Sequence, residues 1–407
     1  MIVAALADSD SYLKWAAGTL DRIAPTAERR VLVVENPVMP SAQQRRHALD
    51  GTSFAETDVP VLPVELAIES LRGADAVLVA ARGETAAYLL RRLSQREDRP
   101  VLLSGIPGIA FPITRAALVY RAQADLVIVH SHHERRSALE VAERHGWSVR
   151  PVLANLPFLE RRPSTGTDVV LAAQALVPRT LREREHLVSC FVEAARAHPH
   201  RRFVLKVRAV AGEQQTHVER WALDSLPPMR DAPANLVVRA GPMSSALDTA
   251  GALVSVSSTA LIEAVARGIP VLAIDDYGVD EAHINTVFRG SGFLGPTSDL
   301  IAARFRTAAT AWTRDNYLHE SRDVDAPAIV AALAEQRATS GLPVRRPVRS
   351  TRGGRLRQAW DRRRALGRHD RSVLGGLALV VGMPVRAVVV TGRRGLIAAR
   401  SATRSLR

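Results

Sequence analysis

ALVSVSSTALIEAVARGIPVLAIDDY, residues 252–277, decides how the chain folds. Residues 252–256 form a short apolar run rich in β-branched side chains, the pattern of a buried strand. Ser257, Ser258 and Thr259 follow at once, and a hydroxyl there can accept from the free N–H groups that open a helix. Leu261, Ile262 and Val265 give that helix an apolar side, Gly268 ends it and Pro270 blocks its continuation. Residues 271–274 are a second buried strand, with Asp275 and Asp276 emerging at its C-terminal end. In a parallel sheet, ligands sit outside the carboxyl ends of the strands, where helix N-termini present N–H groups and partial positive charge. Ser257–Thr259 would line such a pocket and suit a phosphate. Glu263, one helical turn beyond Thr259, shares its face, where a carboxylate can accept from vicinal hydroxyls. A helix cap followed by a solvated glutamate accounts for the same residues without a ligand.

The chain has 407 residues, enough for two domains, and a globular composition with 47% hydrophobic and 24% charged residues. Its one cysteine, Cys190, excludes a disulfide framework or a cysteine-rich metal site and fits a reducing cytoplasm. The first residues, MIVAALADSD, lack a basic leader and read as a first strand. Net charge is +14, and its distribution is uneven. From Gly341 onward there are seventeen arginines and two aspartates, so the body of the chain is near neutral. A basic tail without a basic groove argues against nucleic acid as a partner of the folded part. Only Lys14 and Lys206 are lysines.

Outward from the central stretch, short apolar runs alternate with helical patterns throughout residues 1–340. In residues 1–155 strands are expected at 2–7, 31–34, 76–80, 100–103, 126–130 and 149–154. Helices are expected near 12–23, 85–93, 113–123 and 134–145, and residues 43–59 read as a loop. Residues 156–167, LPFLERRPSTGT, read as a linker. In residues 168–340, strands are expected at 168–173, 203–207, 235–239, 252–256 and 270–274. The helices there are expected near 182–197, 215–223, 244–250, 259–267 and 299–312. Residues 326–336 read as a last helix able to pack back on the first domain. Such alternation implies two doubly wound α/β domains of about 150 residues with a cleft between them. Residues 341–407 form a tail in which arginine-rich RRPVRSTRGGRLRQAWDRRR leads into SVLGGLALVVGMPVRAVVVTG and RRGLIAAR. The apolar run, interrupted by Pro384 and Arg386, is short for a membrane span and suits the surface of an anionic membrane.

Four segments carry a resemblance: VSVSSTALIEAVARGIPVLAIDDYG (254–278), RFVLKVR (202–208), SGIPGIAFPITRAALVYRAQADLVIVHSHHE (104–134) and INTVFRGSGFLG (284–295). Over about 102–332 the chain resembles GT-B glycosyltransferases, which have two facing Rossmann-like domains. Within them it is similar to the capsule-polysaccharide and CDP-glycerol glycerophosphotransferase-like branch and to glycosyltransferase-like proteins of actinobacteria. The resemblance implies that Ser257, Ser258 and Thr259 bind donor phosphates and that Glu263 holds the ribose or the transferred group. Lys206 and Arg208 would meet the leaving phosphate at the end of a strand. Gln174 and Arg179 would reach the same phosphates, and Glu213 and His217 would touch the base or ribose. Lys206 as a snorkelling strand-end residue and Arg179 as a surface residue are the plain alternatives. Gly105 and Gly108 would let backbone approach the ligand.

The relatives carry a histidine before Gly-x-Pro, and this chain has Ser104 there, which cannot act alone as a general base. Asp8 or Asp10, after the first strand, is the base expected instead, with Glu84 and His130 as alternatives. Asp10 as a helix cap and His130 as a satisfied core residue are the plain readings of two of these. The chain lacks G-x-G-x-x-G, a P-loop and zinc spacing, and HSHHE at 130–134 reads as a solvated helix start. No metal and no cofactor are expected beyond the activated donor. The expected enzyme is a cytoplasmic glycosyltransferase, peripheral to the inner face of the plasma membrane. It would move a group from a nucleotide sugar or CDP-polyol to a lipid-linked or polysaccharide acceptor of the envelope. A sugar-nucleotide epimerase of the same fold and a non-catalytic nucleotide-sugar-binding protein are the alternatives.

Overall fold

A computed structural model describes residues 1–207, 220–348, 354–380 and 382. The first sheet contains β1 (Ile2–Ala7), β2 (Glu28–Val34), β3 (Val61–Leu62), β4 (Ala76–Ala80), β5 (Val101–Gly105), β6 (Leu126–Val129) and β7 (Pro151–Leu153). All are parallel, in the order β3-β2-β1-β4-β5-β6-β7. Around them lie α1 (Asp10–Ile23), α2 (Ala42–Leu49), α3 (Val64–Glu69), α4 (Gly83–Ser94), α5 (Arg115–Val119) and α6 (His132–Arg144). β1 shows why the sheet is covered on both sides. Val3, Ala5 and Ala7 pack with α1, while Ala4 and Leu6 pack on the opposite face with α4.

The second sheet contains β8 (Asp168–Ala172), β9 (Phe203–Lys206), β10 (Leu236–Arg239), β11 (Ala250–Ser255), β12 (Val271–Ile274) and β13 (Leu294–Gly295). It is also parallel, in the order β10-β9-β8-β11-β12-β13. Its helices are α7 (Leu181–Ala197), α8 (Met243–Asp248), α9 (Ala260–Ala266), α10 (Thr297–Ile301) and α11 (Thr310–Asp315). Each sheet reverses strand order beside its first strand, at β1/β4 and at β8/β11, where doubly wound folds open a crevice. The fold is therefore the two-sheet, GT-B-like α/β architecture expected from the sequence.

The chain then returns. α12 (Ala326–Ser340) buries Ala326 and Val330 in the first sheet's core. Asp325 accepts from Leu153 N–H at 2.7 Å, fixing the start of that return. Residues 343–348 continue along the first unit, where Arg345 meets Asp125. α13 (Gly354–Leu366) lies on α4, with Ala365 and Leu366 buried against it. Burying Leu366 contributes roughly 2 kcal/mol.

Two expectations need correction. Residues 43–59 are not all loop: α2 forms there on a capping box in which Ser41 and Gln44 satisfy each other's backbone N–H. The single helix expected at 299–312 breaks into α10 and α11. Ala303 takes φ 50° and Arg306 bridges to Val271 between the two. Most of the helix expected at 215–223 lies outside the described residues.

Candidate functional site

At the second sheet's reversal, Gln174 follows β8 and Ser257 follows β11. The Gln174 amide oxygen accepts from Ser257 N–H at 2.9 Å and from Ser255 Oγ at 3.1 Å. Its amide nitrogen donates to Ser257 Oγ at 3.0 Å. Ser257 is thereby buried, while Ser258 and Thr259 remain half-exposed. Ser258 Oγ accepts from Ala260 N–H at 3.2 Å. The cap differs from expectation, because Thr259 sits at the N-cap in helical conformation without a side-chain cap bond. α9 has only seven residues, so the hydroxyls and the Gln174 amide dominate this corner more than a long helix dipole would.

Glu263 lies half-buried on α9. Burial pushes its carboxyl up to about 7, against the pull of Lys14 and then Arg267. Arg267 is committed elsewhere, to Asp248 and Glu160, each at 2.7 Å. Lys14 comes from α1 of the first unit, so Glu263 looks across the gap between units. Sequence reasoning missed Lys14. Its one available signal was being, with Lys206, one of two lysines in an arginine-rich chain.

Lys206 is buried at the end of β9, where Nζ donates to Val207 C=O at 2.6 Å. Arg179 is exposed before α7, and its backbone N–H donates to Glu183 at 3.0 Å. Arg208, Glu213 and His217 lie outside the described residues. Asp276 caps α10 by accepting from Thr297 N–H at 2.6 Å.

The first sheet's reversal is built from charge. Asp8, fully buried after β1, accepts from Arg82 Nε at 2.9 Å and from Arg82 N–H at 3.1 Å. Arg82 Nη2 also donates to the Asn36 amide oxygen at 3.1 Å, and Asn36 donates to Asp8 C=O at 2.7 Å. Asp8 Oδ1 is buried without a hydrogen-bond partner. Arg121 extends the corner, donating to Tyr12 Oη at 2.6 Å, Gly105 C=O at 2.7 Å and Ala81 C=O at 3.1 Å. Asp10 opens α1 behind the N-cap Ser9 and is half-exposed, with Ser11 Oγ donating to it at 3.4 Å. Arg82, Asn36, Tyr12 and Arg121 were not singled out from the sequence.

The alternative bases are occupied. Ser104 is buried and donates to Val79 C=O at 2.8 Å. Glu84 is paired with Arg364 of α13. His130 is fully buried: Nε2 accepts from Trp15 Nε1–H at 2.7 Å, so its proton sits on Nδ1, 2.9 Å from Ala154 C=O. Burial lowers its pKa to about 4. His130 is a neutral core residue.

The glycine loop meets the second unit directly. Gly108 has φ 80°, and a Cβ there would stand 2.9 Å from Thr259 Cγ2. A Cβ on Gly105 would instead collide with Trp15, at 2.7 Å.

HSHHE is not a solvated helix start. Glu134 is buried and accepts from Ala110 N–H at 2.9 Å, His130 N–H at 2.8 Å and Tyr317 Oη of the second unit at 2.7 Å. Burial raises its pKa despite these donors. His132 faces Asp323 at 3.3 Å, the His133 ring lies 3.7 Å from that of Phe111, and Arg136 pairs with Asp315 at 2.5 Å. The first turns of α6 thus form a seam with residues 315–325. No three His, Cys, Asp or Glu side chains converge as a metal site among the described residues.

Solved structures similar in shape share little sequence with this chain. The UDP-GlcNAc 2-epimerase of Methanocaldococcus jannaschii, solved with UDP-GlcNAc and UDP, is 10% identical at a TM-score of 0.48; the match covers 82% of this chain and 100% of that one. UGT2 of Phytolacca americana, solved with UDP-2fluoro-glucose and pterostilbene, is 12% identical at 0.45, covering 83% and 95%. The glycosyltransferase SnogD of Streptomyces nogalater is 14% identical at 0.40, covering 82% and 95%. No curated protein matches the sequence. One family model, described as "Putative glycosyltransferase (DUF6716)", matches residues 3–334, which take in both sheets and both strand-order reversals, and the chain belongs to that family.

Proposed function

We propose that this glycosyltransferase-family chain takes a nucleotide-activated donor, a nucleotide sugar or CDP-polyol, and moves its activated group to an envelope or polysaccharide hydroxyl. The observation that carries the reading is the second sheet's reversal, where Gln174 presents Ser257 beside the half-exposed Ser258 and Thr259. Glu263 stands one turn further on, held near its titration point. Hydroxyls and backbone N–H groups receive the donor phosphates, and the Glu263 carboxylate accepts from vicinal hydroxyls. Lys206 gives positive charge to the leaving phosphate if Nζ turns from Val207 C=O. The chemistry needs no metal in this reading.

On the first unit, the Asp8 pairing with Arg82 suits Asp8 to orienting that arginine. Half-exposed Asp10 is then the better base for the acceptor hydroxyl. The donor type, the envelope acceptor and the likeness to the capsule and CDP-glycerol branch stand on the motifs named above.

The same reading places the enzyme at the inner face of an anionic membrane. No helix of the described residues is long and apolar enough to cross a membrane. However, helical residues 373–380 leave Val373 and Val380 81% and 73% exposed, directly after the arginine-rich α13.

A thermal-shift screen of nucleotides and nucleotide sugars tests the donor site. One donor class should raise the melting temperature of the wild type and leave Glu263→Ala unmoved. A screen in which no nucleotide stabilises the wild type ends the proposal. Sedimentation with anionic vesicles, with and without residues 343–407, tests the membrane placement.

A further inference from the structure

A cavity of about 570 Å³ lies outside the cleft, between α4, α5 and the returning C-terminal segment. Its size is that of a small-molecule site. The covering segment is pinned on both sides of it. Arg345 meets Asp125 at 3.1 Å, and Val348 N–H donates to Gln123 at 2.9 Å. At the far end Arg364 pairs with Glu84, and Thr85 Oγ1 donates to Ala365 C=O at 3.4 Å. Between these anchors, Arg355, Gln358 and Ala359 of α13 line the cavity.

The lining has two characters. Ala87, Val119, Val348, Ala359 and Leu374 are apolar. Arg91, Arg92, Arg355 and Arg362 set four cations against one carboxylate, Asp361. Glu65 holds Arg92 and Arg362 at 3.0 and 2.8 Å. Among the described residues Arg91 pairs only with Asp361, at 4.0 Å, and Arg357 also meets that carboxylate, at 3.2 Å. An apolar hollow with surplus arginine matches a ligand with an apolar chain and an anionic head.

Two further observations agree. Leu374 belongs to the helical stretch whose Val373, Leu377 and Val380 are exposed, so the rim adjoins an apolar surface. Tyr120 lines the cavity, and its ring lies so close to Gly83 that a Cβ there would stand 2.4 Å away. Gly83 directly follows Arg82, the partner of Asp8. Tyr120 therefore touches both the cavity and the residue next to Arg82.

We propose that this cavity binds a single-chain amphiphile with a phosphate head, its chain along the α4–α5 groove beneath α13 and its head at the arginines. Binding stands on the cavity alone; service as the berth of a lipid-linked acceptor rests on the transferase reading above. Calorimetric titration of the full chain with dodecyl phosphate, below its micelle concentration, tests it. One equivalent should bind, while inorganic phosphate and dodecyl maltoside bind at least tenfold more weakly. Gln358→Trp, at an exposed lining position, should weaken dodecyl phosphate at least tenfold, and Arg91→Gln at least threefold. Circular dichroism melts check that both variants fold. Equal binding by wild type and Gln358→Trp, or inorganic phosphate matching dodecyl phosphate, overturns the site. So does a cavity that accepts the amphiphile only after residues 383–407 are removed. Donor thermal shifts on the same samples separate the two ideas. A donor shift without amphiphile binding defeats this inference alone, and amphiphile binding without any donor shift defeats only the transferase reading.

Discussion

Along the carboxyl edge of the first sheet, charge is answered by charge. Asp8 holds Arg82, Arg82 holds Asn36, and Arg121 holds Tyr12 and two carbonyls. Along the same edge of the second sheet the groups are an amide, hydroxyls and one carboxylate, and burial pushes the pKa of that carboxylate up to about 7. The first edge is a tightly paired scaffold in which one buried atom, Asp8 Oδ1, is left without a hydrogen-bond partner. The second pairs Gln174 with Ser255 and Ser257 and leaves Ser258 and Thr259 half-exposed. The contrast predicts that mutations at the first edge cost stability first, and at the second cost binding first.

The largest effect is expected at Arg82. Arg82→Ala leaves a buried carboxylate short of its cation and should cost about 3 kcal/mol in urea unfolding. Asp8→Asn leaves a half-exposed arginine that water can serve and should cost only about 1 kcal/mol. Equal costs would break the picture of a buried, dependent Asp8. Next comes the seam, where Tyr317→Phe removes one donor from buried Glu134 and should cost about 2 kcal/mol. Burial already raises the Glu134 pKa, and losing a donor raises it further. The deficit against wild type should therefore widen as pH rises through the range where Glu134 ionises. A pH-independent deficit would show that Glu134 does not titrate in the range measured.

Glu263 sharpens the comparison from the other side. A carboxyl raised from its ordinary range to about 7 favours the folded state at low pH. That advantage is lost as pH climbs from about 4.5 through 7. Glu263→Gln should thus match wild type near pH 4 and exceed it by about 1–2 kcal/mol above pH 7. Donor affinity should move oppositely in the wild type, rising as the carboxylate forms. Melting curves across that range, with and without donor, read both. Ser104→Ala is expected to be the smallest change, under about 1 kcal/mol with transfer activity intact, because its hydroxyl only donates to Val79 C=O. A large activity loss there would return Ser104 to the chemistry.

What the sequence reveals follows the range of the interactions. β1 is legible because IVAALA is apolar on both faces, which only a covered parallel strand requires. α2 was missed because AQQRRHAL has no apolar stripe; it buries only Ala48 and Leu49 and begins on a capping box. The break between α10 and α11 depends on Arg306 pairing with Val271, a strand distant in sequence. The corner after β11 is a local pattern too, since Ser257, Ser258, Thr259 and Glu263 lie within one strand–helix turn. The corner after β1 joins Asp8 to a partner 74 residues away. No local pattern marks Arg82 as different from the arginines around it. His130 shows the opposite hazard: a histidine in a motif-like setting that packing has silenced.

The return of α12 to the first sheet has a mechanical consequence. The backbone passes between the lobes twice, through 156–167 and again between Tyr317, in the second core, and Ala326, in the first. Two separate attachments restrict how the lobes can move against each other more than one linker would, and the contacts of Tyr317 with Glu134 and of Asp315 with Arg136 add to that restraint. The lobes already touch where Gly108 meets Thr259, so whatever enters the gap there has to part them against both attachments.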